Sequence, residues 1–171
     1  MEDQSHKFKN KKSGVYFFKS SSPFEFYHIL NNINLEPKEE IFGTLIFPEN
    51  AKTPCPLVIP IHGSAGLRGN HHDHIVNLLE AGIAVFRIHS FESRGIISIV
   101  ENQMAVTLAT MITDAFRGLS LMSQHPDIDS NKIGIMGWSL GGSTAFYSAW
   151  KPIIKALTQG GEKFSAHLPL Y

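Results

Sequence analysis

Residues 132–142, KIGIMGWSLGG, constrain the fold of this chain more than any other segment. A short apolar run leads into a G-x-S-x-G pattern centred on Ser139, and a helix-like run follows it. Gly137 and Gly141 flank the serine because side chains at these two positions would collide with each other and with the neighbouring strand. The pattern therefore predicts a sharp strand-to-helix turn that exposes the Ser139 hydroxyl, with the Leu140 backbone N–H at the helix start available to a developing oxyanion.

Apolar runs and helical periodicity alternate along the rest of the chain. Strands are predicted at residues 15–19, 24–30, 41–47, 57–61, 83–88, 133–136 and 164–170. Helices are predicted at residues 70–81, with Asn70 as the N-cap, and at residues 104–122 and 140–150. This alternation predicts an α/β fold with a mostly parallel sheet and helices on both faces.

Composition limits the class of protein. With 43% apolar and 18% charged residues the chain is globular, and its formal net charge of zero leaves no basic surface for nucleic acid. Residues 1–13 are predicted to be a flexible polar tail, and residues 14–171 one domain. No apolar run is long enough for a membrane span or a secretory signal, and the single cysteine, Cys55, fits a reducing compartment. We therefore expect a cytoplasmic protein that does not bind membranes.

A second glycine-rich motif, His62-Gly63-Ser64-Ala65-Gly66, follows the predicted strand that ends at Ile61. In sites built around a strand–turn–helix serine, the loop at this place supplies a second backbone N–H to the oxyanion. We predict the Ser64 N–H as that donor, with the Ala65 N–H as the alternative. A tight turn without a chemical role is the competing interpretation of the same residues.

Four strings carry a resemblance to a known family: PLVIPIHGSAGL, HSFESRGI, HPDIDSNKIGIMGWSLGG and FSAHLPLY, within residues 41–171. In this order they resemble the dienelactone hydrolase family of the α/β-hydrolase superfamily. The resemblance implies an α/β-hydrolase fold and a hydrolase of small-molecule esters or lactones that works through an acyl-enzyme, with no metal and no organic cofactor. Two positions depart from the family pattern. Ser139 stands where the name-giving enzymes have cysteine, and His89 stands where aspartate is frequent.

The resemblance also implies a catalytic acid after a seventh strand and a histidine after an eighth. The only acid and the only histidine that follow Ser139 are Glu162 and His167. His167 falls inside the last predicted strand and Glu162 on the loop before it, so we expect neither to complete a triad. The sequence thus predicts a partial domain that lacks the C-terminal strands, the acid and the histidine.

Several other side chains have two possible roles. Arg94 could bind a substrate carboxylate or brace its loop, for example against Glu92. Trp138 could line the substrate pocket or pack against the sheet. The helix-start histidines His71 and His74 could bind a metal, but they lack a metalloenzyme spacing, and a solvated first helical turn is the favoured interpretation.

Two further expectations concern His62 and the pair of Asp114 and Arg117. His62 precedes the serine in the chain and is expected to be structural. Asp114 and Arg117 lie three residues apart on a predicted helix and are expected to form a surface pair of little energetic value.

The sequence therefore favours a serine hydrolase in which Ser139 is the nucleophile. A non-catalytic α/β-hydrolase-like protein that binds a ligand is the alternative. A dinucleotide-binding fold is disfavoured, because the glycines at positions 134, 137, 141 and 142 do not form a G-x-G-x-x-G pattern. The oligomeric state and the substrate's acyl and alcohol parts do not follow from the sequence.

Overall fold

The computed structural model describes residues 13–158 and 161–170. One sheet contains the strands β1 (Gly14–Ser20), β2 (Glu39–Ile46), β3 (Cys55–Ile61), β4 (Ala84–Ile88), β5 (Ile128–Trp138) and β6 (Ala166–Leu170). The α-helices of this part of the chain are α1 (Gly69–Glu80), α2 (Leu108–Met122), α3 (Leu140–Tyr147) and α4 (Lys151–Leu157). The strand order is β1-β2-β4-β3-β5-β6. β2 is antiparallel to both of its neighbours, whereas β4, β3, β5 and β6 are parallel.

The two crossover connections from β3 to β4 and from β4 to β5 run in opposite directions across the sheet. From β3 it crosses through α1 to β4, and from β4 it crosses back through α2 to β5, on the other side of β3. Since parallel crossovers are right-handed, α1 and α2 lie on opposite faces of the sheet. The carboxyl ends of β3 and β5 thus border the crevice where open α/β sheets bind their ligands.

The central strands are apolar because helices cover both of their faces. Leu57, Ile59 and Ile61 of β3 and Ile133 and Ile135 of β5 are each at most 2% exposed. Twelve of the fifteen residues of α2 are buried, because this helix packs on the sheet and also contacts α3. Among the described residues, no helix combines the length and the apolar character needed to cross a bilayer.

The predicted strand and helix order is confirmed, with differences at particular boundaries. The strand predicted at residues 24–30 is wrong, because residues 28–30 belong to a π-helical turn at His28–Asn32 and the residues before them form no strand. The predicted helix 140–150 ends three residues early, at Tyr147, and the separate helix α4 that follows was not predicted. Pro152 lies in the first turn of α4, where its missing N–H costs nothing. Residues 1–12 of the predicted tail lie outside the described part of the chain.

Two predicted helix starts are also shifted. The N-cap of α2 is Thr107, whose side chain accepts a hydrogen bond from the Thr110 N–H, so the helix begins four residues later than Met104. The N-cap of α1 is Arg68 and not Asn70, and the Arg68 N–H donates to the His71 ring. The apolar periodicity of the sequence located both helices, whereas the local hydrogen bonds set their first residues.

A buried ion-pair network connects β1, β2, α2 and the loop after β4. The Arg94 guanidinium contacts both carboxylate oxygens of Asp114, which is fully buried, and one oxygen of Glu39. Ser20 at the end of β1 donates to the same Asp114 carboxylate. The predicted Asp114–Arg117 surface pair is therefore wrong, because Asp114 faces inward. The partners of Arg94 are Asp114 and Glu39 rather than Glu92.

We predict that Arg94→Ala lowers the free energy of unfolding by about 3–5 kcal/mol, because it leaves Asp114 as an unpaired buried charge. Urea denaturation at pH 7 measures the change. The control is Lys132→Ala, which removes an ion pair with Asp129 from a side chain that is 68% exposed and should leave the midpoint unchanged. Equal, small effects of the two substitutions would contradict a stabilising role for the network.

Candidate active site

Ser139 occupies a strained turn between β5 and α3. Its backbone angles are φ 54° and ψ −115°, and it is the only non-glycine residue with a positive φ in the part of the chain that the structure describes. The Ser139 side chain is exposed to solvent. A residue other than glycine keeps such a conformation only when its surroundings impose it, and these conformations cluster at functional sites.

The glycines around Ser139 impose that conformation by close backbone packing. A Cβ atom on Gly137 would lie 2.0 Å from the Gly141 carbonyl oxygen. A Cβ atom on Gly141 would lie 2.0 Å from the Ile61 carbonyl oxygen, and one on Gly142 would lie 1.9 Å from the Leu170 carbonyl oxygen. These distances are far below any real Cβ contact, so α3 can approach β3 and β6 this closely only without side chains at the three positions.

The loop after β3 lies directly beside Ser139. A Cβ atom on Gly63 would be 3.2 Å from the Ser139 Cβ and 3.9 Å from its Oγ. The Gly66 N–H donates to the Gly63 carbonyl at 3.0 Å and closes a tight turn, and the Ile99 N–H holds the Ser64 carbonyl at 2.8 Å. The Ser64 N–H itself has no acceptor within residues 13–158 and 161–170.

Two backbone N–H groups are therefore available next to the Ser139 hydroxyl. Leu140 is the first residue of α3, so its N–H has no partner within the helix and lies at the positive end of the helix dipole. The Ser64 N–H lies on the opposing loop, one residue after Gly63. Backbone N–H groups are the usual donors of an oxyanion hole, and both of these groups lie on segments adjacent to Ser139.

His167 lies too far along β6 to activate Ser139. It is in register with Ile135, four residues before the serine, which corresponds to about 13 Å along a strand. Its ring contacts Phe164, and Glu162 lies on the loop before β6, at the opposite edge of the sheet. Among the described residues, no side chain hydrogen-bonds to the Ser139 hydroxyl.

Trp138 packs beneath the turn instead of facing a pocket. It is 7% exposed, and the His71 ring stacks on it with a centroid separation of 4.2 Å and an interplanar angle of 17°. The centroid of the His74 ring lies 5.6 Å from the centroid of the same indole. These contacts favour the packing role for Trp138. The expectation of a fully solvated first turn of α1 is wrong at His71, which is buried.

His62 and His71, the buried histidines near this turn, pack against neighbouring protein groups. His62 is buried, its Nδ1 lies 3.0 Å from the Gly63 carbonyl oxygen, and its ring meets the Phe91 ring edge-on at 4.3 Å. Burial lowers the pKa of His62 and of His71, which keeps both rings neutral at pH 7. No cluster of three potential metal ligands occurs among the residues that the structure describes.

Arg94 has no N–H group left for a substrate carboxylate. Its Nε donates to Ser22 and Glu39, its Nη1 to the Ser90 carbonyl and Asp114, and its Nη2 to Glu39 and Asp114. These contacts favour the bracing role over the substrate-binding role. Sequence patterns do not identify Glu39 and Asp114 as partners, because they are 55 and 20 residues away along the chain.

Solved structures similar to this chain are α/β-hydrolases. A putative dienelactone hydrolase from Klebsiella pneumoniae subsp. pneumoniae MGH 78578 is 20% identical with a TM-score of 0.55, over 82% of this chain and 57% of that one. The dienelactone hydrolase from Anabaena variabilis ATCC 29413 is 18% identical with a TM-score of 0.54, over 83% and 60%. Est1E from Butyrivibrio proteoclasticus is 22% identical with a TM-score of 0.52, over 68% and 44%.

These comparisons establish the α/β-hydrolase fold of the chain. The chain spans between 44% and 60% of the length of these three structures. No protein-family model and no curated protein matches it.

We predict that Gly141→Ala destabilises the protein by about 1–3 kcal/mol, because the added methyl group forces α3 away from β3. Chemical denaturation measures this loss. Gly69→Ala at the start of α1 is the matched control, since a Cβ there meets nothing within 4 Å, and it should be neutral or slightly stabilising. Equal stability of both variants would show that the close contact at Gly141 is not required.

Proposed function

We propose that the chain is the nucleophile-bearing part of a serine hydrolase that acts on carboxylic esters or lactones. The observation that carries this proposal is the strained, exposed Ser139 at the start of α3, beside a loop whose Ser64 N–H has no acceptor among the described residues. Nothing in the packing of the core requires a hydroxyl at this position. The turn is costly, and it presents the hydroxyl to solvent at the sheet edge where ligands bind.

In the proposed reaction the Ser139 oxygen attacks the ester carbonyl carbon. The Leu140 and Ser64 N–H groups stabilise the negative charge that develops on the carbonyl oxygen. The carbon–oxygen bond to the alcohol then breaks, and the alcohol leaves with the proton that Ser139 has lost. Water attacks the resulting acyl-enzyme, releases the acid and returns a proton to Ser139. The chemistry needs no metal or organic cofactor.

The reaction requires a base that takes the Ser139 proton. The proposal assigns this base, a histidine, and its orienting acid to residues outside the described ones, and takes the 171 residues as a fragment of the hydrolase. The order serine, acid, histidine is the order of the α/β-hydrolase fold. A serine without its base would retain only the contribution of the oxyanion hole and of binding.

Small-molecule binding by related folds supports the substrate class. One similar structure is described as ferulic acid bound to Est1E, and another as DcsB in complex with its substrate analogue. Both are about as similar to this chain as the dienelactone hydrolases, with TM-scores of 0.54 and 0.51. The alternative function is a non-catalytic binding protein, which the absence of a described base beside Ser139 favours.

The first test is labelling of the full-length gene product with a fluorophosphonate, followed by intact-mass and peptide analysis. We predict one adduct, on Ser139, because only an activated serine reacts with this class of reagent. Ser139→Ala should abolish the adduct, and Ser143→Ala, one turn further along α3, should leave it unchanged. A folded full-length protein that gains no adduct would favour the non-catalytic alternative.

A second test addresses the oxyanion donor on the loop after β3. Ser64→Ala keeps the backbone N–H and should retain hydrolysis, whereas Ser64→Pro removes the N–H and should lower kcat by about 10²–10³-fold. Ala65→Pro removes the N–H of the alternative donor and should affect kcat less than Ser64→Pro does. Thermal unfolding checks that each variant is folded. Full activity of a folded Ser64→Pro protein would exclude the Ser64 N–H.

A further inference from the structure

A groove of about 500 Å³ lies beside Leu140, the residue that follows the Ser139 nucleophile. Its walls are residues 24–27, which follow β1, and residues 103–104 and 106–109, which lead into α2. The volume falls within the range of pockets that bind small molecules. Leu140 lines the groove, so the groove lies next to the residue that follows the proposed nucleophile.

The strand directions explain why these segments meet at Ser139. β1 is antiparallel to β2, and β2 is antiparallel to β4, so β1 runs in the same direction as β4 and β5. The segment after Ser20 therefore leaves the sheet at the same edge as the turn at Ser139. Residues 24–27 and Leu140 thus belong to one edge, the edge where α/β folds bind ligands.

Hydrogen bonds and an aromatic contact hold the wall formed by residues 24–27 in place. The Pro23 carbonyl accepts hydrogen bonds from the Thr107 and Thr110 hydroxyls at 2.9 and 3.2 Å. The Phe26 ring packs edge-on against Tyr147 at the end of α3, with a centroid separation of 5.0 Å. The wall is therefore anchored to both helices that flank the groove.

The charges around the groove select against anions. Among the described residues that line it, only Glu25 carries a charge at pH 7, and the others are apolar, aromatic or uncharged. Arg94 cannot supply a positive charge, because its N–H groups are occupied by Glu39, Asp114, Ser22 and Ser90. A ligand carboxylate in the groove would meet Glu25 without a compensating cation, and like charges repel.

We propose that this groove binds an uncharged, apolar alkyl or aryl part of the ester and disfavours esters that carry a second carboxylate. The inference rests on the proposed function, because it takes Ser139 as the reacting group. It narrows the substrate class to neutral apolar esters and separates this chain from hydrolases that need a cation for an anionic substrate.

The kinetic experiment uses the full-length gene product and compares kcat/KM within matched ester pairs. On the acyl side, 4-nitrophenyl hexanoate should exceed 4-nitrophenyl acetate at least tenfold, since each buried methylene contributes a factor of about four. On the alcohol side, 2-phenylethyl acetate is compared with ethyl acetate, and the side with the gain is the part that enters the groove. The mono-4-nitrophenyl ester of adipic acid adds a carboxylate to the acyl chain and should be at least tenfold slower than the hexanoate.

Two variants connect these preferences to the groove. Phe24→Ala should remove most of the apolar preference, whereas Phe17→Ala on β1 removes a ring of similar exposure, 55% against 50%, outside the groove and should not. Met104→Lys, at a position that is 62% exposed, adds a cation to the lining and should raise the relative rate of the adipate ester. Because Phe24 and Met104 are both exposed, we expect both variants to fold.

A binding measurement that does not depend on catalysis separates the two proposals. On the Ser139→Ala protein, ligand-observed NMR should show 2-phenylethyl acetate or 4-nitrophenyl hexanoate binding more weakly after Phe24→Ala but not after Phe17→Ala. Absence of Ser139-dependent hydrolysis with this binding pattern intact would overturn only the proposed function. Hydrolysis or binding without an apolar preference, or with equal effects of Phe24→Ala and Phe17→Ala, would overturn the groove assignment.

Discussion

The close contact of α3 with β3 and β6 is the constraint on which the site depends. The backbone carbonyls of Ile61 and Leu170 occupy the positions where side chains of Gly141 and Gly142 would be. Since the helix lies this close to the strands, the chain has room for only a sharp turn after Trp138, and Ser139 takes the positive φ that the turn requires. The loop after β3 lies beside this turn, since a Cβ atom on Gly63 would be 3.2 Å from the Ser139 Cβ.

The buried ion-pair network around Arg94 connects other elements that meet at the same edge of the sheet. It connects the end of β1 through Ser20, the start of β2 through Glu39, and the middle of α2 through Asp114. These elements carry the two walls of the groove beside Leu140. Arg94 connects elements that neighbour these walls, and its contacts with Glu39 and Asp114 leave it no free N–H group for a ligand in the groove.

The sequence predicted the parts of the fold that depend on local pattern. Apolar runs located the sheet strands, and the periodicity of residues 104–122 located α2 to within one turn at its start. The glycines around Ser139 predicted the turn, because the collision they avoid lies between residues close in the sequence. Residues 24–27 were missed as a groove wall, because their aromatic composition resembles that of an edge strand.

The roles that sequence could not assign depend on contacts between distant segments. Asp114 has the helical spacing of a surface residue, and only the fold shows that it faces Arg94 and Ser20. The stacking of His71 on Trp138 joins residues 67 positions apart. Such contacts are set by how α1, α2 and the strands pack, and a local pattern carries no information about them.

We propose that Ser139 faces an oxyanion hole made by the Leu140 and Ser64 N–H groups. A crystal structure of the full-length protein after reaction with a dialkyl fluorophosphate tests this directly. We expect phosphorus bonded to Ser139 Oγ and one phosphoryl oxygen about 2.7–3.1 Å from both nitrogens. A phosphoryl oxygen directed away from Leu140 and Ser64, or phosphorus on another residue, would contradict it.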